Sequence, residues 1–70
     1  MTDAPTKAER LAQAIAERTE ARELYDEARH AVEAAVEGVF DLEPTCVALV
    51  ETARRQREAE QKVRRIEAEP

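Results

Sequence analysis

The sequence contains few of the residues that break helices or fill a globular core. Its 70 residues include one glycine, one cysteine, one tyrosine, one phenylalanine and no tryptophan. Leu, Ile, Val and Phe together supply 13 positions, close to the limit of about 20% below which chains tend not to fold alone. A core in a chain of this size rarely contributes more than about 3–5 kcal/mol. We therefore expect a partner to complete the fold.

Other absences exclude whole classes of protein. No apolar run approaches the roughly 18–20 residues of a membrane span, so we expect no membrane association. The first residues lack the basic and apolar segments of a signal peptide. A lone cysteine cannot form an internal disulfide, which favours a cytoplasmic location. Glycine-rich loops and the CxxC and HExxH motifs are absent, so we predict no catalytic residues, no cofactor and no enzyme activity.

What the sequence does contain is typical of long helices. Ala, Glu, Arg, Leu and Lys fill 42 positions, and the formal net charge is -5. No glycine or proline interrupts residues 7–37, which predicts helix 1 there, after a disordered lead at 1–6. Thr6 and Glu9 have the spacing of a capping box. Gly38 suits the left-handed position after a helix, with Val39 following as its apolar contact.

The chain then turns back in a loop over residues 38–43. Pro44 fits the first position of a helix, which predicts helix 2 over 44–68. So short a connection makes the two helices antiparallel neighbours. The predicted fold is all-α, an antiparallel two-helix hairpin forming one domain over residues 7–68.

Both helices carry apolar residues at steps of three and four. In helix 1 the alanines at 14, 21, 28 and 35 recur every seven residues, which favours close helix packing. Tyr25 is expected to face the polar middle of helix 2, its hydroxyl near Gln56 or Glu60. Cys46 is expected to be a small buried residue. The predicted stripe of helix 2 contains Cys46, Leu49, Val50, Ala53, Gln56, Glu60, Val63 and Ile66.

An alanine-rich contact buries too little apolar area to order two long helices. We therefore expect a homodimer that forms a four-helix bundle, or a hairpin completed by a larger protein. Phe40 is expected to plug the loop end, or else to anchor a partner. Two exposed apolar patches are predicted, one with Leu11 and Ile15, the other with Val36, Leu42 and Val47. The predicted interface comprises Leu11, Ile15, Leu24, Tyr25, Ala28, Val32, Val36, Phe40, Leu49, Val50, Ala53, Val63 and Ile66.

One pattern raises the alternative of a metal site. Glu27 and His30 form a Glu-x-x-His pair, with Glu23 one turn earlier. Di-iron helical bundles use such pairs, and a hairpin dimer would supply two copies. His30 lies beside the apolar stripe and not within it. A solvated flank is therefore the favoured interpretation of Glu23, Glu27 and His30, and a metal-binding assembly is the alternative.

The first alternative to association, ahead of the metal-binding assembly, is a regulator that binds nucleic acid through the Arg54–Arg65 segment. Helix 2 is mildly basic and helix 1 acidic. Acidic residues interleave with these arginines, and the pairs Glu51–Arg55, Glu58–Lys62 and Glu60–Arg64 have the spacing of stabilising ion pairs. Because of this interleaving, the favoured interpretation is a salt-bridged surface. The net negative charge of the chain also makes nucleic acid an unlikely partner.

The stretch Asp41-Leu42-Glu43-Pro44, leading to Ala59-Glu60-Gln61-Lys62-Val63, resembles the second helix of the small subunit of exonuclease VII. That family is also a short acidic helical hairpin that binds a large partner. Helix 1 here lacks the leucine- and isoleucine-rich pattern of that family, so no residue role is transferred. The sequence as a whole predicts a small non-catalytic protein that acts by association, as a homo-oligomer or as an accessory subunit.

Overall fold

A computed structural model of the chain describes residues 4–38 and 40–70. Over these residues the chain forms two helices, α1 at Lys7–Val36 and α2 at Leu42–Glu67, packed against each other without any strand. The hairpin measures 54 × 24 × 13 Å. The expectations for residues 1–3 and for Val39 lie outside the described residues.

Local capping explains where α1 begins and ends. The backbone N–H of Glu9 donates to the Thr6 hydroxyl at 3.1 Å, which satisfies one of the free donors of the first turn as the capping box predicts. At the other end Gly38 has a φ of 91°. Its N–H donates to the carbonyl of Ala35 at 3.0 Å, the bond expected of a left-handed glycine after a helix.

Helix α2 begins at Leu42, two residues before the proline that was expected to open it. Pro44 therefore lies inside the first turn. A proline is tolerated there because the first N–H groups of a helix have no intrahelical acceptor. The Thr45 hydroxyl donates to the carbonyls of Asp41, at 3.0 Å, and Leu42, at 2.8 Å, which ties the first turn together.

The two helices meet along a row of small residues. All four alanines of the seven-residue repeat are buried, and we call them the alanine row: Ala14, Ala21, Ala28 and Ala35. The larger apolar side chains gather at the open end of the hairpin, where Val63 and Ile66 pack with Ala14 and with half-buried Leu11. The predicted close packing is confirmed, and the apolar core lies farthest from the loop.

The face that α2 turns toward α1 differs from the predicted stripe. Cys46, Val50 and Ala53 are exposed. Because Val63 and Ile66 are the largest apolar pair in the contact, they fix the rotation of α2, and the residues three and four positions apart from them then face α1. Of the predicted stripe, Leu49, Gln56, Glu60, Val63 and Ile66 are buried or half-buried, and Thr45, Thr52 and Ala59 join them.

Ion pairs cross between the helices instead of running along α2. Lys62 Nζ lies 3.0 Å from Glu17 Oε2, and Arg22 Nη2 lies 3.3 Å from Glu60 Oε1. The predicted pairs Glu58–Lys62 and Glu60–Arg64 therefore do not form, because Lys62 and Glu60 pair with residues of α1 instead. The pair Glu51–Arg55 does not form within the part of the chain described here. The antiparallel register brings opposite charges of the two helices together, and each helix supplies the acid in one of these pairs and the base in the other.

Candidate protein-interaction surface

Among residues 4–38 and 40–70, five large apolar side chains are exposed around the loop, and we call them the loop-end surface. Their exposed fractions run from 49% for Leu42 to 73% for Val36. Single exposed apolar residues are common, whereas a contiguous group is typical of an interaction site. The loop-end surface consists of Val36, Phe40, Leu42, Val47 and Val50.

The two predicted apolar patches have different outcomes. The patch of Val36, Leu42 and Val47 is exposed as predicted. The patch at the other end is not fully formed, because Leu11 packs onto Val63 and Ile66 while Ile15 stays 38% exposed. The shorter helix 2 was expected to cover Leu11 least, but Leu11 packs against Val63 and Ile66 in the last turns of α2.

Two further expectations are wrong. Phe40 does not plug the loop end, since 55% of it is exposed, and Cys46 is exposed instead of buried. The rotation of α2 that buries Val63 and Ile66 turns Cys46 outward. The predicted alternative, an exposed Phe40, is the arrangement found. Phe40 therefore lies where a partner can contact it.

The outward face of α2 forms a shallow groove. Its walls are Cys46, Val47, Val50, Glu51 and Arg54. Glu43, four residues before Val47, and Arg54, four residues after Val50, are both exposed. We call Glu43, Val47, Val50 and Arg54 the outer stripe. Sequence reasoning missed Glu43, although its spacing to Val47, Val50 and Arg54, in steps of four, three and four, could have revealed it.

Beyond the outer stripe, the same face of α2 is basic. Arg54, Arg57, Arg64 and Arg65 are all exposed. Arg57 follows Arg54 by three residues, Arg64 follows Arg57 by seven, and Arg65 follows Arg54 by eleven, which places all four on one side of a helix. We call them the arginine row. Within residues 4–38 and 40–70, none of the four has a carboxylate oxygen within 4.0 Å.

The predicted interface residues separate into three groups in this hairpin. Ala28, Val63 and Ile66 are buried between the helices. Tyr25 is half-buried, and Glu60, one of its expected partners, accepts a hydrogen bond from Arg22. The other half-buried residues are Leu11, Leu24, Val32 and Leu49, and the exposed ones are Ile15, Val36, Phe40, Val50 and Ala53.

The candidate metal ligands do not assemble in the single chain. Glu23, Glu27 and His30 are exposed on α1. Among the described residues, no three His, Cys, Asp or Glu side chains are grouped so that they could hold a metal ion. A Glu-x-x-His pair requires further ligands from another helix. These three residues lie on the side of α1 that points away from α2.

The open end is fastened by charged groups. Arg10 and Glu69 form a two-point ion pair, with Nη1 3.0 Å from Oε1 and Nη2 on Oε2. The hydrogen bond from Arg10, together with its positive charge, lowers the pKa of the Glu69 carboxyl, and the same contact raises the pKa of Arg10. Lys7 Nζ donates to the Glu69 carbonyl at 2.6 Å. This end is therefore already occupied by internal contacts.

Comparison of the chain with known protein families, with curated proteins and with solved structures found no match. The resemblance to the small subunit of exonuclease VII gains no support from these comparisons. Neither helix in the described residues has the length and apolar content needed to cross a bilayer.

Proposed function

We propose that this chain acts by protein–protein association, without catalysis of its own, and that the loop-end surface is the contact. The observation that carries the proposal is the exposure of five large apolar side chains around the loop. Exposed apolar area favours association because burying it in a partner removes it from water, and two of these side chains, Val47 and Val50, line one groove.

The distribution of apolar residues supports this choice of surface. At the open end, Val63 and Ile66 are covered by α1. Toward the loop, α2 turns Thr45 and Thr52 to α1 and leaves Val47 and Val50 outside. The loop half of the hairpin therefore has its larger apolar groups on the surface, where only a partner can cover them.

The simplest partner is a second copy, which gives a dimer of four helices. A larger protein that uses the hairpin as an accessory subunit is the other form of the proposal. We further propose a cytoplasmic location, because a reducing compartment keeps the exposed thiol of Cys46 from forming intermolecular disulfides.

The test is the absolute mass in solution, by light scattering over a range of concentrations, with circular dichroism on the same samples. We expect a helical dimer that dissociates on dilution. Replacing Val47 and Val50 by serine should abolish the dimer, while Ile15→Ser, on the other half of the hairpin, should not. A helical chain that is monomeric at all concentrations contradicts the dimer. If the loop-end variants associate as the unchanged chain does, the contact lies elsewhere.

A second candidate function is binding to nucleic acid, and the arginine row favours it. Four exposed arginines without carboxylate neighbours in the described chain can contact phosphates. This proposal predicts that affinity for a labelled duplex falls steeply between low salt and about 0.1 M salt. Arg57→Glu should weaken binding, whereas Arg55→Glu, off the row, should do so less. Binding that is absent even at low salt contradicts it.

A further inference from the structure

The geometry points to a second copy of this chain as the occupant of the outer stripe of α2, seated antiparallel about a two-fold axis between Val47 and Val50. This inference rests on the proposed function and specifies the partner and the register of its contact. The two α2 helices lie side by side at the centre of the assembly, with the α1 helices outside.

The outer stripe is free to make this contact. All four of its residues are exposed. They lie on the side of α2 opposite to Leu49 and Gln56, which face α1. The groove walled by Val47, Val50 and Arg54 can receive side chains from another helix.

The order of residues along the stripe is self-complementary. A two-fold contact requires that if one residue meets a second across the axis, the second meets the first. The midpoint between Val47 and Val50 is also the midpoint between Glu43 and Arg54. In an antiparallel pair, Val47 then faces the partner's Val50, and Glu43 faces the partner's Arg54.

The flanking charges favour this register over a chance apolar contact. The N-terminal end of α2 is acidic, with exposed Asp41 and Glu43, and the segment after Val50 is basic, with Arg54 and Arg57. The antiparallel arrangement places each acidic end against a basic segment at both ends of the contact. Neither Arg54 nor Arg57 has an ion partner within its own described chain, so both can pair with the second copy.

The first test exchanges the charges. Glu43→Arg and Arg54→Glu should each weaken self-association about fivefold or more, because each change replaces two ion pairs with two like-charge contacts. An equimolar mixture of the two variants should associate as the unchanged chain does, because both cross-axis pairs are then opposite in sign. The double variant should do the same. Arg55→Glu, on another face of α2, is the matched control and should have little effect.

The second test fixes the register by cross-linking. In a Cys46→Ala background, chains with Glu43→Cys and with Arg54→Cys are mixed and oxidised. Random pairing would make half of the disulfides mixed, joining position 43 of one chain to position 54 of the other. We expect more than half, because two cysteines at the same position in the two copies lie about 16 Å apart along the helix axis. Gln61→Cys replaces Arg54→Cys in the control mixture, which should stay at the random share.

The outcomes separate this inference from the proposed function. A dimer whose charge variants associate as the unchanged chain does, or whose cysteine pairs form at random, overturns the outer-stripe contact and leaves association through the loop end standing. A monomer at every concentration overturns the second copy as partner. Recovery of the dimer in the mixture, with excess of the mixed disulfide, establishes the contact.

Discussion

At the scale of single residues, the alanine row sets how closely the helices approach. Ala14 is buried against Val63 and Ile66, and Ala16 is exposed on the same helix. Ala14→Leu should lower the free energy of unfolding by about 1–3 kcal/mol, because the added carbons overpack the contact with Val63 and Ile66. Ala16→Leu, the matched control, should change it little. Urea unfolding followed by circular dichroism measures both, and equal losses would show that α1 packs by another face.

The Glu69 carboxyl connects stability to pH. Its pKa in the folded chain lies below the ordinary value of 4.5, chiefly because Arg10 donates to it. Its contribution to stability is therefore complete above that ordinary value and is lost as the pH falls through the lowered pKa.

Glu69→Gln should accordingly lower the unfolding temperature at neutral pH, and the difference from the unchanged chain should close in acid. Arg10→Gln should produce the same pattern, because it removes the other half of the ion pair. A difference that is constant from neutral to acidic pH would contradict the assigned cause. Thermal unfolding across that pH range is the measurement.

At the scale of the elements, the end of α1 depends on one backbone conformation. Gly38 has a φ of 91°, and a Cβ added there would meet no atom within 4 Å. The cost of Gly38→Ala is therefore conformational, about 1–2 kcal/mol of unfolding free energy. Gly38→Asn should cost less, because asparagine adopts this conformation more readily. Equal stability of the alanine variant and the unchanged chain in urea unfolding would contradict this assignment.

The elements also show which features a sequence determines locally. The Thr6 cap and the Gly38 turn depend on neighbouring residues, and the seven-residue spacing of alanines has one compatible buried face, so these features could be predicted. The rotation of α2 could not. Valines lie on two of its faces, and only the tertiary packing of Val63 and Ile66 against Leu11 selects between them. Cys46 and Val50 were consequently misplaced together, and Glu43 was overlooked because no apolar pattern includes it. Phe40 is a separate case, because it lies in the loop before α2.

At the scale of the whole molecule, the largest buried side chains, Val63 and Ile66, lie at one end of the hairpin, and most of the exposed large apolar ones lie at the other. If two copies cover the loop-end surface, folding and association are linked, and the unfolding temperature must rise with protein concentration. Val50→Ser should remove most of that rise. Its effect on a dilute sample should be small, because substitutions at exposed positions usually change stability by less than about 0.5 kcal/mol. Thermal scans over a hundredfold range of concentration separate the two effects.

Since Ile66 is buried inside the single hairpin, Ile66→Ser should give the reverse pattern, with a loss of stability already present in the dilute sample. A Val50→Ser chain that loses as much stability when dilute as when concentrated would place Val50 in the hairpin's own packing and not in a contact between copies.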